Sequence, residues 1–247
     1  MPVEVSSSGG EHSPTSSTTM NKQPRILTLI VATTKDLGIG KDGGLPWPQL
    51  KKEMGYFARV TKRQPRSLPA HTKSINAVVM GRKTWDSIPT KFRPLKGRLN
   101  VVISRSMKHE AAHDEVQEGP LVVGSLEAAM HALQKREEDS QADKPTMGDI
   151  FVIGGSSIYD SALALPQAKR VLLSKIKSPE YDCDTYFPLN LDAEQAQDDG
   201  WQKKSWAQLV DFAGGEAVVG GSDVLEQEGC LRRVRLTGSI ACMSGLE

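Results

Sequence analysis

The most informative segment of this chain is LGIGKDGGLPWPQLKKE, residues Leu37–Glu53. A strand-like apolar run, Ile26–Ala32, precedes it, and an amphipathic helix is predicted to begin near Pro48. The glycines between these two segments are typical of a loop. The stretch therefore connects the first predicted strand of a domain to its first predicted helix.

A carboxylate on the apolar face of this helix is the first candidate for chemistry. Leu50, Met54 and Phe57 recur at i, i+4 and i+7 and define the face. Glu53 falls on the same face, and the positions three and four residues away from it hold no basic side chain. A carboxylate in apolar surroundings without a cation has a raised pKa, which suits proton transfer. The alternative is a glutamate at the edge of the face that extends to solvent.

Length and composition set limits on the class of protein. The 247 residues can bury a substantial core, in one large domain or two small ones. Because 31 Lys and Arg face 30 Asp and Glu, the chain lacks the basic excess of a nucleic-acid-binding protein. No apolar run approaches the length of a membrane span. Cys183, Cys230 and Cys242 form no CxxC pair and no plausible disulfide framework, which favours reduced thiols in an intracellular protein.

The two ends of the chain differ in composition from its middle. Residues 1–23 are mostly small and polar and are predicted to be disordered. The first twenty residues contain no Lys or Arg and no apolar core, so they fit neither a secretory signal nor a mitochondrial presequence. One domain is predicted over residues 24–247, with an irregular tail at 237–247.

Strand-like and helix-like segments alternate along the middle of the chain, which predicts an α/β domain with a largely parallel sheet. Three polar stretches are predicted as surface excursions: Lys62–Lys73, Met107–Glu118 and Lys135–Gly148. The predicted strands are Ile26–Ala32, Ile75–Met80, Leu99–Ile103, Leu121–Val123, Ile150–Ile153 and Val171–Ile176. The predicted helices are Pro48–Thr61, Lys83–Ser87, one that follows an N-cap at Ser125, and Ser156–Ala164.

Two strand ends have the composition of a phosphate-binding turn. One strand runs into Gly81-Arg82-Lys83-Thr84 and another into Gly154-Gly155-Ser156-Ser157. Each turn places glycine before a helix N-terminus, where unpaired N–H groups and the helix dipole favour an anion. Neither turn has the G-x-G-x-x-G or Walker A spacing, and a lone Gly-Gly is commonly a tight turn. Two such turns in one sheet favour a ligand that carries a pyrophosphate.

Three arginines are further candidates for anion contacts. Ser104-Arg105 ends a predicted strand and, together with Arg82, could hold another phosphate, since the guanidinium fork matches phosphate oxygens. Arg98 is a candidate for a bidentate contact with a substrate carboxylate. A solvated surface position is the alternative for each single arginine.

In their order and approximate spacing, these segments resemble the dihydrofolate reductase family, in its eukaryotic branch. The matching segments are Gly38–Gly40, Leu45–Trp47, Glu53, Met80–Trp85, Arg93–Arg98, Ser104-Arg105, Ile153–Tyr159 and Asp184–Phe187. The resemblance runs from Arg25 to Pro188. It implies a mostly parallel central sheet of about eight strands with an antiparallel C-terminal strand and flanking helices.

The resemblance also implies an activity, the NADPH-dependent reduction of 7,8-dihydrofolate to 5,6,7,8-tetrahydrofolate for one-carbon metabolism. Hydride transfer would go to C6 of the pterin and protonation to N5. The protein would be a cytoplasmic monomer that binds dihydrofolate and antifolate inhibitors, without a metal, a nucleic acid or a membrane as partner.

Catalytic and substrate-binding roles follow from the same resemblance. Glu53 would anchor the pterin and support protonation at N5, Trp47 would order the water that relays the proton, and Thr185 would donate its hydroxyl to Glu53. Arg98 would hold the α-carboxylate of the substrate's glutamate tail. The other implied substrate contacts are Ile30, Val31, Ala32, Met54, Phe57, Ser87, Ile88, Leu95, Ile153 and Tyr159.

The resemblance assigns NADPH to the two glycine turns. Arg82, Ser104 and Arg105 would meet the 2′-phosphate, the Gly154-Gly155 peptide would be cis, and the loop Leu37–Leu45 would close over the nicotinamide. The full set of implied cofactor contacts is Ala32, Ile39, Gly40, Gly43, Gly44, Leu45, Gly81, Arg82, Lys83, Thr84, Ser104, Arg105, Ile153, Gly154, Gly155, Ser156, Ser157, Ile158 and Tyr159.

The C-terminus departs from the family, because the candidate last strand, Leu231–Leu236, is basic and lacks aromatic residues.

Two other functions are compatible with a similar fold. One is a riboflavin-pathway pyrimidine reductase, against which the Trp47–Glu53 segment and Asp184-Thr185 argue. The other is a non-catalytic NADPH- or folate-binding protein, against which the occupied catalytic positions argue. A serine hydrolase lacks its G-x-S-x-G motif, and the five histidines are too scattered for a metal site.

Overall fold

The computed structural model of the protein describes residues 25–65, 68–69, 71–107, 118–139, 144–176, 179–213 and 234–236. The strands are β1 Leu27–Thr34, β2 Gly38–Gly40, β3 Ser74–Gly81, β4 Arg98–Ile103, β5 Leu121–Val123, β6 Thr146–Val152, β7 Ala168–Ile176, β8 Thr185–Tyr186 and β9 Val234–Leu236. The helices are α1 Lys51–Lys62, α2 Arg82–Ser87, α3 Leu126–Glu138, α4 Ser156–Leu163, α5 Glu194–Asp198 and α6 Trp206–Ala213, with a 3-10 turn at Thr90–Phe92.

A mostly parallel sheet forms the centre of the molecule, as predicted. Its strand order is β5-β4-β3-β6-β1-β7-β9. The first five pairings in that order are parallel, and β7 with β9 is antiparallel, so the predicted antiparallel C-terminal strand is confirmed. The described strands of this sheet number seven rather than about eight. Strand β2 instead pairs with β8 in a separate two-stranded antiparallel sheet.

The central strands are buried along most of their length, as is typical of a parallel sheet. In β3, the residues from Ile75 to Met80 are all buried, and in β1 seven of the eight residues are buried. Strands of this kind need cover on both faces, which helices provide. One core cluster contains residues of α3 and α4, and a second contains residues of α1, α2 and α6.

Most of the predicted elements are present, with ends that differ by a few residues. Ser125 is the N-cap of α3, because its Oγ accepts a hydrogen bond from the N–H of Ala128 at 3.1 Å. The predicted excursion Lys135–Gly148 was wrong at both ends, since α3 continues to Glu138 and β6 begins at Thr146. Helices α5 and α6 were not predicted. The predictions for residues 1–23 and 237–247 lie outside the described residues.

Candidate active site

A cavity of about 1510 Å³ opens at the carboxyl ends of the parallel strands and extends along α1 to the start of β4. Ligand pockets for one drug-sized molecule are commonly about 300–1,000 Å³. The cavity therefore has room for two ligands side by side. Of the site residues predicted above, all but Gly154 line it.

Glu53 lies in the wall of the cavity on α1, and its side chain is buried, with 8% of the residue exposed. Burial raises its pKa from the ordinary 4.5 to about 7. The alternative of a solvent-exposed edge glutamate is therefore wrong. At neutral pH this carboxyl is divided between its protonated and ionised forms, as a group that exchanges protons with a substrate requires.

The apolar face predicted on α1 forms the cavity wall more than the core. Phe57 is half-buried and Met54 is 37% exposed, and both line the cavity. The residues of α1 that pack into the core are Tyr56 and Val60. The helix thus has a second apolar surface, which leaves Met54 and Phe57 available to a flat aromatic ligand.

Trp47 contributes to the wall of the same cavity. Its indole is buried against Leu50 and Ile176 and meets the ring of Tyr181 edge-to-face, with 6.1 Å between the ring centroids. Its position is therefore fixed by packing, while part of it lines the cavity.

Thr185 lines the cavity, but its hydroxyl has a different partner from the one expected. Thr185 Oγ1 donates to the carboxylate of Asp184 at 2.8 Å, not to Glu53. The carboxylate of Asp184 also accepts a hydrogen bond from the N–H of Asp42 at 2.8 Å. The backbone N–H of Asp184 donates to the carbonyl of Gly40 at 3.0 Å. Thr185 thus contributes to a network that holds the loop beside β8.

The loop Leu37–Leu45 is fastened to the segment around β8 by further contacts. Lys41 Nζ lies 2.6 Å from a carboxylate oxygen of Asp182, and the N–H of Phe187 donates to the carbonyl of Leu37 at 2.8 Å. Ile39, Gly40, Gly43, Gly44 and Leu45 all line the cavity. The loop therefore covers one side of the cavity, where a lid was predicted.

Arg98 begins β4 at the other end of the cavity and is buried, at 4% exposure. Its Nη1 donates to Thr61 Oγ1 at 2.9 Å and its Nε to the carbonyl of Lys96 at 3.2 Å. Burial lowers its pKa to about 10, and the charge of Glu118 opposes the decrease. No carboxylate of a described residue forms an ion pair with this guanidinium, so a buried cation lines the cavity and is ready for an anionic ligand.

The two glycine turns lie next to each other. The N–H of Gly81 donates to the carbonyl of Gly154 at 2.8 Å, and the Gly154-Gly155 peptide is cis, as the resemblance implied. Gly154 has φ +103, and a Cβ on it would lie 2.9 Å from the ring of Tyr159. That ring is held in place because its hydroxyl donates to the carbonyl of Ile30 at 2.8 Å. Glycine is needed here because the backbone packs directly against an immobile ring.

The three side chains expected at a 2′-phosphate, Arg82, Ser104 and Arg105, all line the cavity. Arg105 is exposed, and Ser104 is buried with its Oγ accepting from the N–H groups of Ser106 at 3.2 Å and Met107 at 3.0 Å. Arg82 Nη1 pairs with Asp86 at 2.9 Å. An anion that binds Arg82 must therefore compete with this exposed ion pair.

Sequence reasoning missed several residues of the cavity wall. Helical spacing from Met54 could have found two of them, Ala58 and Lys62, because they follow at i+4 and i+8. Most of the others are neighbours of predicted residues along the chain. The missed set is Gln49, Ala58, Lys62, Pro89, Lys91, Phe92, Lys96, Ile103, Ser106 and Gly124.

The described part of the chain contains neither a candidate metal site nor a helix that could span a membrane. Its His, Cys, Asp and Glu residues form no group of three or more that could hold a metal ion. Its helices include none with the length and apolar character needed to cross a membrane.

Comparison with known proteins identifies the family of this chain. The family model described as dihydrofolate reductase matches residues 26–208. The dihydrofolate reductase of Heliothis virescens is 39% identical over 169 residues, which cover 68% of this chain and 82% of that protein. That of Pneumocystis carinii is 38% identical over 79% of this chain and 88% of its own length. That of Schizosaccharomyces pombe is 38% identical over 78% of this chain, but the match spans only 42% of that longer protein.

Proposed function

Because the chain belongs to the dihydrofolate reductase family, we propose that it reduces 7,8-dihydrofolate to 5,6,7,8-tetrahydrofolate with NADPH. The observation that carries the proposal is Glu53, a buried carboxyl with a pKa of about 7 in the wall of a cavity large enough for two ligands. The reaction needs a hydride at C6 of the pterin and a proton at N5, and NADPH would supply the hydride. The side chains of the protein would make the proton available next to N5.

Glu53 would bind the pterin through its N3 and 2-amino group. Ionised, the carboxylate accepts both N–H donors, and protonated it provides a proton next to the pterin ring. Because its pKa is about 7, both forms are accessible at neutral pH. Phe57, Met54 and Ile30 line the same cavity and would offer apolar surface to the body of the substrate.

Arg98 would hold the α-carboxylate of the substrate's glutamate tail. Its guanidinium is buried, its contacts with Thr61 and the carbonyl of Lys96 fix its plane, and it lines the cavity at the end of α1. A fixed fork matches a carboxylate in bidentate geometry, which a lysine cannot do. The distance between Arg98 and Glu53 along the cavity would select ligands that carry both a pterin and an acidic tail.

The adjoining turns at Gly81 and Gly154 would hold the pyrophosphate of NADPH. Glycine precedes both α2 and α4, so no side chain covers the N–H groups at these helix starts. Arg82, Ser104 and Arg105 would read the 2′-phosphate that distinguishes NADPH from NADH. The pair formed by Arg82 and Asp86 is exposed and weak enough for a phosphate to replace Asp86.

The loop Leu37–Leu45 and Trp47 would exclude water from the reacting atoms. Thr185 would act on this loop through Asp184, which holds the N–H of Asp42. That role replaces the direct contact with Glu53 that the resemblance implied.

We further propose that the protein works as a cytoplasmic monomer and that antifolates bind in the same cavity. The described residues of a single chain are sufficient to form the walls of the cavity, which supports the monomer. The family match does not favour a riboflavin-pathway pyrimidine reductase or a non-catalytic binding protein.

The test is the loss of NADPH absorbance on addition of dihydrofolate to the purified protein. The expected result is dihydrofolate-dependent oxidation of NADPH, much slower with NADH, and reduced by orders of magnitude in Glu53→Gln. A protein that binds NADPH but oxidises none of it on addition of dihydrofolate would contradict the proposal.

A further inference from the structure

Asn76, in the middle of the central sheet, lies opposite a β-bulge. Between the β3–β6 pairs on either side of Asn76, strand β6 has two residues, Gly148 and Asp149, facing one residue of β3. The extra residue of a bulge leaves backbone groups outside the regular ladder. Asn76 provides a partner for one of them, because its Oδ1 accepts from the N–H of Asp149 at 2.9 Å. A Cβ on Gly148 would collide with this Oδ1, so glycine leaves the room that the amide occupies.

The other half of the same amide holds the C-terminal end of α1. Asn76 Nδ2 donates to the carbonyl of Thr61 at 2.9 Å and to the carbonyl of Arg63 at 2.8 Å. These two carbonyls lie in the last turn of α1 and at its C-cap, where carbonyl groups lack a partner within the helix. The side chain of Arg63 adds a second connection to the bulge, since its Nη2 lies 3.2 Å from Asp149 Oδ2. The end of α1 is therefore attached to β6 through Asn76.

Thr61, whose carbonyl Asn76 holds, also orients the guanidinium of Arg98. Thr61 is fully buried, and its hydroxyl donates its only hydrogen to the carbonyl of Phe57 at 2.7 Å. The same oxygen accepts from Arg98 Nη1 at 2.9 Å. Because the hydrogen is already used, a lone pair must face the guanidinium. A shift of the last turn of α1 would move this lone pair and change the plane of Arg98.

Asn76 can influence a ligand only indirectly. It is 3% exposed, and neither Asn76 nor Thr61 lines the cavity. Arg98 does line the cavity, so it is the first residue of this hydrogen-bonded series that a ligand would touch. Glu53 lies eight residues before Thr61 on α1, about 12 Å away along the helix axis. A disturbance at Thr61 should therefore affect the Arg98 end of the cavity and leave Glu53 in place.

We infer that Asn76 is a positioning residue for the substrate tail, which acts through Thr61 to hold Arg98 in the plane that a carboxylate needs. The inference rests on the proposed function. Without the amide, the guanidinium would keep its charge but lose its fixed orientation. It would then meet a carboxylate with one hydrogen bond more often than with the bidentate pair.

The test compares 7,8-dihydrofolate with a 7,8-dihydropterin that lacks the benzoylglutamate tail. The equilibrium Kd of each is measured by quenching of the protein's tryptophan fluorescence. Asn76→Ala should raise the Kd of dihydrofolate about three- to tenfold, the effect of one hydrogen bond of ordinary strength, and leave the Kd of the truncated dihydropterin unchanged. The kcat with dihydrofolate should change little, because Glu53 and the reacting atoms keep their places. Asn76→Ser, which retains one hydrogen-bonding group, should give a smaller rise of the same kind.

Variants of Thr61 test whether Asn76 acts through it. Thr61→Val removes the hydroxyl and should raise the Kd of dihydrofolate by a similar factor, whereas Thr61→Ser keeps the hydroxyl and should not. The double variant of Asn76→Ala with Thr61→Val should bind dihydrofolate about as weakly as the weaker single variant, because both changes break the same series of contacts. Two effects that simply multiply would overturn the inference.

The matched control is Ile75→Ala, at the neighbouring position of β3. Ile75 belongs to a core cluster that, among the described residues, contains none of α1. This variant should lose stability but keep the ratio of the two Kd values. A change of that ratio in the control, or an equal rise of both Kd values in Asn76→Ala, would show that Asn76 only stabilises the fold. Absence of dihydrofolate-dependent NADPH oxidation in the wild type would contradict the proposed function, whereas the Kd values judge Asn76 without any turnover.

Discussion

Replacing Glu53 with glutamine should stabilise the protein above neutral pH while removing most of its turnover. Burial raises the pKa of this carboxyl from 4.5 to about 7, so the folded state holds the proton more tightly than the unfolded state does. Below pH 4.5 both states are protonated, and the carboxyl costs no stability that depends on pH. As pH rises through the window from 4.5 to about 7, the unfolded state loses its proton first and the folded state becomes progressively less stable.

The size of the effect follows from the two pKa values. One pKa unit corresponds to about 1.36 kcal/mol, so the difference between 4.5 and about 7 costs the wild type up to about 3 kcal/mol above neutral pH. Glutamine keeps the shape of the side chain but cannot ionise. We therefore expect Glu53→Gln to match the wild type near the acid end of the window and to be more stable by up to about 3 kcal/mol at about pH 8.

Urea unfolding of both proteins at the two pH values measures this difference. The matched control is Glu180→Gln, since Glu180 is exposed and does not line the cavity. In the NADPH assay, Glu53→Gln should lose about 10²–10⁴-fold in turnover, the usual contribution of general acid–base assistance. Its residual rate should rise as pH falls, because protons then come from solution.

Two results would refute this reasoning. A stability difference between variant and wild type that is the same at both pH values would show that Glu53 does not have a raised pKa in the folded state. Turnover of Glu53→Gln close to that of the wild type at neutral pH would show that the carboxyl has no part in the chemistry.

The remaining predictions concern the ends of the cavity. Arg98→Lys should raise the KM for dihydrofolate about tenfold or more with little change in kcat, because a charge-assisted hydrogen bond is worth about 1.5–3 kcal/mol; an unchanged KM would exclude a contact between Arg98 and the tail. Replacing Arg82 and Arg105 together with glutamine should weaken NADPH binding at least about tenfold, by the same magnitude, and leave the Kd of NADH nearly unchanged; equal losses would show that they do not read the 2′-phosphate. Asp86→Asn should free Arg82 from its ion pair at 2.9 Å and tighten NADPH binding a few-fold, with no effect on NADH. Weaker NADPH binding in this variant would mean that Asp86 positions Arg82 instead of competing for it.

Short-range patterns in the sequence were enough to predict much of the fold. The alternation of strand-like segments such as Ile75–Met80 with helix-like segments predicted a largely parallel sheet, because parallel strands need a crossover connection. Ser125 was recognised as an N-cap because the signal for a helix start is contained in a few consecutive residues. Helical spacing placed Glu53 on an apolar face but left open whether its side chain extends to solvent; the structure shows that Glu53 is buried and that its pKa is raised.

Residues distant in sequence were brought together only by the tertiary structure. The family resemblance implied that the hydroxyl of Thr185 donates to Glu53, but in the folded chain it donates to Asp184, which also accepts from the N–H of Asp42 in the loop. No pattern in the sequence indicated that Lys62, at the end of one helix, packs over Gly97 beside Arg98. Periodicity fixes which face of an element is buried, since that depends on neighbours a few positions away. The partner of a polar side chain depends on which loops and strand ends the completed sheet places within about 3 Å of it, which no local pattern encodes.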